Sequence, residues 1–124
     1  MTWTIWIIIG SLAGALAVGF GAFGAHGLRE RLDADALAVF DIAARYQMYH
    51  ALALLAVGFL ALRVDNLTIR IAGSAFLLGI VLFSGSLYAL ALTGQRWMGM
   101  ITPVGGLSFI VGWVALAIAA YRPT

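Results

Sequence analysis

The chain has no cysteine and no lysine, only two prolines, and five acidic residues among 124. Without cysteine there is no disulfide, no thiolate ligand for a metal and no thiol nucleophile, and the redox compartment leaves no mark. Without lysine either, no nucleophile–base pair is recognisable. Charged residues are 10% of the total, and all seven basic residues are arginines. They stand singly or in pairs near the ends of apolar runs, a distribution suited to lipid headgroups and not to nucleic acid. What is present is apolar surface: 64% hydrophobic residues and a mean hydropathy of +1.05, more than a soluble domain of this length can bury. The composition describes an integral membrane protein of one domain, residues 1–124.

Four apolar runs predict an all-α bundle of four transmembrane helices, with spans at about 3–24, 38–62, 68–92 and 102–121. The first holds no charge, and without a basic leader region and with glycines interrupting it, it reads as a span and not as a cleaved signal. Gly10, Ala13, Gly14, Ala17, Gly21 and Gly24 make a small-residue stripe on it, and Gly105, Ser108, Gly112, Ala115 and Ala119 make another on the last helix. Such stripes let helices approach closely. The expectation is a first helix at the centre, packed against the fourth stripe to stripe. His26 to Asp35 is the most charged connection and has room for a short interfacial helix, with Gly24 or Gly27 ending the first span and Asp33 or Asp35 capping the second. Asn66 is positioned to cap the third helix, and Thr102-Pro103 opens the last with a capping hydroxyl and a proline at the first helical position. Trp3, Trp6, Trp97 and Tyr121 fall where an interfacial aromatic belt belongs. Four spans put both termini on one side, and Arg63, Arg70 and Arg122, close to helix ends, favour the cytoplasm for it.

The second helix, expected from about Ala34 to Leu62, carries the densest polarity of any apolar run. At about 100° per residue, Val39, Ala43, Tyr46, Gln47, His50, Leu54 and Val57 share a face, which must look inward, while Asp41 and Arg45 lie opposite and pair as a solvated i,i+4 couple. Ser84, Gly85 and Ser86 on the third helix form a packing node, with Gly85 permitting close approach and the hydroxyls bonding a carbonyl or a neighbouring helix.

Gly21-Ala22-Phe23-Gly24-Ala25-His26-Gly27-Leu28, Tyr46-Gln47-Met48-Tyr49-His50, Leu82-Phe83-Ser84-Gly85-Ser86-Leu87-Tyr88 and Thr102-Pro103-Val104-Gly105-Gly106 follow one another in an order that resembles the YgdD/YwdK-type family of small four-span membrane proteins. The resemblance covers essentially the whole chain. It implies a multi-pass protein of the bacterial inner membrane with a mitochondrial relative, in a family classed as of unknown function, and it brings no reaction, ligand or catalytic residue.

His50, with Tyr46 and Gln47 a turn earlier, reads either as a proton or ligand site or as a neutral histidine bonded to a serine or carbonyl of another helix; the second is the commoner arrangement. Ser84, Ser86, Thr102 and His26 complete the polar inventory. His26 is expected to cap carbonyls at the end of the first helix, and paired with His50 it makes a poor metal or haem site, since no acid or thiolate completes a ligand shell. No cofactor is expected. Gly10, Gly14, Gly21, Gly24, Gly85, Gly105, Gly106 and Gly112 are the expected helix-packing positions. A small multidrug exporter has similar length, but its mechanism needs an acid in the first span, and none lies between Trp3 and Gly24. The sequence reading is a non-enzymatic membrane protein that binds a membrane partner or lipid. The alternative is a small oligomeric carrier or channel whose path the polar cluster lines, and an enzyme acting on a lipid or quinone ranks third for want of a nucleophile–base pair.

Overall fold

A computed structural model describes residues 2–121, and the described residues form four long helices and no strand. The Arg122 contribution to the charge balance lies outside the described residues. The charge-free N-terminal run is α1 (Thr2–His26). The polar tract lies within α2 (Ala34–Ala61), a 28-residue helix about 42 Å long. The third run is α3 (Leu67–Thr93), whose middle is a π-helical turn at Ile80–Ser84. A single-turn 3-10 helix at Arg96–Met100 leads into α4 (Thr102–Tyr121).

Two of the caps are those expected. The Asp33 carboxylate accepts the Ala36 N–H at 2.8 Å, and the Asn66 side-chain oxygen accepts the Ile69 N–H at 3.1 Å, each satisfying a donor that the first helical turn leaves open. α3 stops at Gly94, whose φ of 70° is the left-handed conformation glycine adopts without steric cost, and the Gly94 N–H closes on the Leu90 carbonyl at 2.9 Å. The Thr102 hydroxyl behaves differently from expectation: it reaches Ser86 on α3, so it tethers two helices where a backbone cap was expected. The His26–Asp33 connection is a series of turns and not an interfacial helix. Its Leu28 is buried against Phe40 and Ala91, which pulls the loop onto the bundle.

α1, α3 and the segment Arg96–Tyr121 are long and apolar enough to cross a membrane. α2 is as long but less apolar, because Arg45, Gln47 and His50 lie within it.

The layout corrects the expectation that α1 is central and packed on α4. α2 is the central helix. The α1 stripe lies along it: a Cβ on Gly10 would come within 2.9 Å of the Ala51 carbonyl, and one on Gly24 within 2.7 Å of the Phe40 ring, while Gly14 and Gly21 face Ala51 and Ala44 at ordinary distances of 3.8 and 4.0 Å. The α4 stripe packs on α3, Gly105 against the Phe83 backbone and Gly112 against the Phe76 ring at 2.6 Å, with Gly106 at a looser 3.9 Å from Phe83. The reason is chemical: α2 needs hydrogen-bond partners on several sides, and only a central position supplies them. Gly85, expected at a close approach, has nothing within 4 Å of where its Cβ would be. Trp6 also departs from the headgroup belt; it is buried, seated over Gly73 of α3, and joins the main core with Leu54, Val57, Ile69 and Phe76. Trp97 and Tyr121 are exposed as expected.

At the end of the bundle holding Asp65, the Arg70 guanidinium bonds Asp65 at 3.1 Å and the Thr2 hydroxyl donates to its other oxygen at 3.3 Å, fastening the start of α1 to the α2–α3 connection.

Candidate functional site

α2 presents one polar group per turn to a different neighbour. Ala43 is fully buried, and its carbonyl accepts the Ser84 hydroxyl from the π-helical turn of α3 at 2.7 Å. In that turn the Gly85 N–H bonds the Ile80 carbonyl, five residues back, in place of the usual four. One turn on, Gln47 is 4% exposed; its amide N–H donates to the Ala13 carbonyl of α1 at 2.8 Å, and its oxygen accepts the Tyr88 hydroxyl of α3 at 2.8 Å. A single side chain therefore joins three helices.

His50, also 4% exposed, is held on both ring nitrogens. The Trp113 indole of α4 donates to Nε2 at 3.1 Å, and an indole N–H can only donate, so Nε2 is an acceptor and the proton sits on Nδ1. Nδ1–H then donates to the Tyr46 carbonyl at 2.7 Å. The ring stacks face to face on Phe109, with centroids 3.4 Å apart and planes 6° from parallel. This is a neutral imidazole with both edges satisfied.

Ser86 donates to the Phe83 carbonyl at 3.0 Å, so in its 2.6 Å contact with Thr102 the threonine is the donor. Ser108 of α4 donates to the Ala75 carbonyl at 2.7 Å. The polar residues expected to line one path are thus divided into separate clamps: Gln47 with Tyr88, His50 with Trp113, Ser84 with Ala43, and Ser86 with Thr102. His50 and the serines bond different partners, so no serine–histidine pair forms, and the serine or carbonyl expected for His50 on another helix is replaced by a tryptophan on α4 and a carbonyl of its own helix.

Two sequence-based candidates have side chains that take no part in these clamps. Tyr46 lies at the edge of the inward face, 38% exposed, its ring against Tyr49 and Phe83 with centroids 5.4 and 4.9 Å away. It borders an open groove between α2 and α4 with a cavity volume of about 480 Å³, completed by Phe109 and Trp113. His26 is exposed at the end of α1 and makes no side-chain hydrogen bond among the described residues; the Gly27 and Leu28 N–H groups close that helix on the Phe23 carbonyl instead, at 2.7 and 3.1 Å. On the opposite face of α2, Arg45 and Asp41 pair at 2.6 Å in the exposed i,i+4 arrangement expected.

Trp113 and the partnership of Tyr88 with Gln47 were not read from the sequence. Trp113 did carry a signal: it lies in the middle of an apolar helix, where an indole N–H usually bonds an acceptor.

Residues 20–106 match a family model described as a protein of unknown function, DUF423. Over 118 residues the chain is 49% identical to a UPF0382 membrane protein of Staphylococcus saprophyticus, covering 95% of this chain and 98% of that one. It is 44% identical over 119 residues to the UPF0382 membrane protein YwdK of Bacillus subtilis, covering 95% and 97%, and 47% identical over 112 residues to a UPF0382 membrane protein of Haemophilus influenzae, covering 90% of each. No solved structure matches the chain significantly.

Proposed function

The chain belongs to the DUF423 family of membrane proteins, and from that premise we propose that it is a non-enzymatic, four-span protein of the bacterial inner membrane that docks a membrane partner or a lipid. The observation that carries this reading is the hydrogen bonding of α2. Gln47 and His50 are each spent on two protein partners, so the polar core orders helices and holds no free acid or base for chemistry. The same bonds count against a carrier using His50 as a relay, since a proton could reach Nε2 only after Trp113 had let go.

The fourth crossing helix is α2. Its low hydropathy is compatible with lipid because Gln47 and His50 point into protein, while Asp41 and Arg45 lie about 33 and 27 Å from Arg63 along the helix and so at or near the far headgroups. The chain has no cysteine, so single cysteines report topology cleanly. With four spans, Glu30→Cys and Gln95→Cys are labelled from one side of the membrane and Arg63→Cys from the other. Labelling of Glu30→Cys and Arg63→Cys from the same side removes the α2 crossing. Cytoplasmic termini put Arg63→Cys on the cytoplasmic side.

Native mass spectrometry of the protein extracted in lipid nanodiscs without detergent tests the role itself. A stoichiometric second protein or retained lipid supports docking. A homo-oligomer carrying a small solute, with flux that disappears in His50→Leu, would transfer the reading to a carrier.

A further inference from the structure

A second polar site lies away from the α2 clamps, where the end of α1 meets the first turns of α2. There a cavity of about 200 Å³ is lined by Gly21, Gly24, Ala25 and Phe40 together with the charged Arg29 and Asp41. Three features give it chemistry. Arg29 has no carboxylate or hydrogen-bond partner among the described residues, so its guanidinium donors are open. Asp41 spends Oδ2 on Arg45 at 2.6 Å and keeps Oδ1. The Phe23 carbonyl takes both the Gly27 and the Leu28 N–H, leaving the Gly24 and Ala25 carbonyls without a backbone donor, at a helix C-terminus where partial negative charge collects.

The cavity therefore joins a cationic wall to an anionic one. A plain anion on Arg29 would face the open carbonyls and the free oxygen of Asp41, whose charge Arg45 partly offsets, and a plain cation would be opposed by Arg29. A headgroup bearing a phosphodiester next to a primary ammonium satisfies both walls. The depth is right for it: Asp41 precedes Arg63 by about 33 Å along α2, the thickness of a hydrocarbon core, so the cavity opens at the headgroup layer. We propose that this cavity binds an ethanolamine-type phospholipid, its phosphodiester on Arg29 and its ammonium on Asp41 Oδ1 and the α1 carbonyls. This rests on the docking reading above and names the lipid class.

The test is native mass spectrometry of the delipidated full chain offered phosphatidylethanolamine, phosphatidylcholine or phosphatidylglycerol of equal chain length, and separately free phosphoethanolamine. Ethanolamine lipid is expected to bind about five- to tenfold better than either other lipid, because choline cannot donate hydrogen bonds to Asp41 and glycerol carries no cation. Arg29→Gln lowers its binding by a similar factor, and Asp41→Asn erases its advantage over the choline lipid. Arg96→Gln, an exposed arginine outside the cavity, changes nothing, and circular dichroism verifies that all three variants fold. Equal binding of the three lipids, or a preference for the glycerol lipid, overturns the proposal while leaving lipid docking intact. Displacement of the lipid by an equal concentration of free phosphoethanolamine overturns the lipid source. A chain that retains neither lipid nor protein overturns the docking reading itself.

Discussion

Trp113 on α4 donates its indole N–H to Nε2 of His50 on α2 at 3.1 Å. That one bond fixes which nitrogen of His50 carries the proton, and together with the stacking of His50 on Phe109 it joins α2 to α4 beside an open groove.

Nitrogen-15 spectra of the protein in bilayers should show His50 as the Nδ1–H tautomer. Trp113→Phe keeps an aromatic ring but removes the donor, and is expected to lower stability by about 1 kcal/mol, within the range of interhelical polar bonds in membranes. Reversible unfolding in mixed micelles measures it, and a double-mutant cycle with His50→Phe should return a coupling of about 0.6–1.7 kcal/mol. A coupling indistinguishable from zero would show that the two residues merely sit near each other.

Gln47 depends on both of its partners. Gln47→Leu strands the Tyr88 hydroxyl in the interior and is expected to cost about 1–3 kcal/mol, whereas Gln47→Leu combined with Tyr88→Phe recovers part of that loss because no polar group is left unpaired. Strictly additive losses in the same unfolding assay would contradict the clamp.

Two glycines that look alike in sequence should behave oppositely. A methyl group on Gly105 strikes the Phe83 backbone, which cannot rotate away, so Gly105→Ala is expected to destabilise by about 1–3 kcal/mol. Gly85→Ala meets nothing and removes backbone freedom from the unfolded chain, so it is expected to be neutral or to stabilise by up to about 1 kcal/mol. Thermal unfolding of the two variants side by side checks the contrast, and a destabilised Gly85→Ala would place an unseen neighbour at that position.

Asp65 supplies the pH-dependent contact. The hydrogen bond from Arg70, and secondarily the Arg70 charge and the Thr2 hydroxyl, hold its carboxyl below the usual value of 3.8. A depressed carboxylate contributes stability that is fully present above the unfolded value and is lost as the pH falls through the folded one. The fastening of α1 to the α2–α3 connection should therefore be constant through neutral and mildly acidic pH and loosen only below about pH 4. Hydrogen exchange at the start of α1 reports it, and Asp65→Asn should abolish the acid-dependent part. Loosening near pH 6 would mean that another group controls this end.

Helix positions were legible because they depend on local chemistry. Apolar runs long enough to span, with Asp33 and Asn66 ahead of two of them, act within a turn or two of their own residues. The inward face of α2 was legible for the same reason: Gln47 and His50 share one face of a largely apolar helix, and their polar groups gain from partners inside the protein. Tyr46 marks the limit of that inference, since a residue at the edge of a face is buried or exposed according to what stands opposite, and opposite Tyr46 is a groove.

Helix adjacency was not legible. The small-residue stripes on α1 and α4 are compatible with each other, with α2 and with α3, because smoothness carries no address. Addresses came from groups that cannot be left unpaired: the Gln47 amide reaching Ala13, Tyr88 reaching Gln47, the Ser84 hydroxyl reaching the Ala43 carbonyl, and the Trp113 indole reaching His50. By itself the sequence determined that this chain lives in a membrane, where its four long apolar runs lie, and that Gln47 and His50 must be hidden, since those follow from solvent and backbone chemistry alone. Only the tertiary structure decided that α2 is central, that α1 and α4 pack on different neighbours, and that the polar residues separate into clamps. Those outcomes depend on hydrogen-bond partners 16 to 63 residues apart, and separations that long leave no periodicity in a sequence.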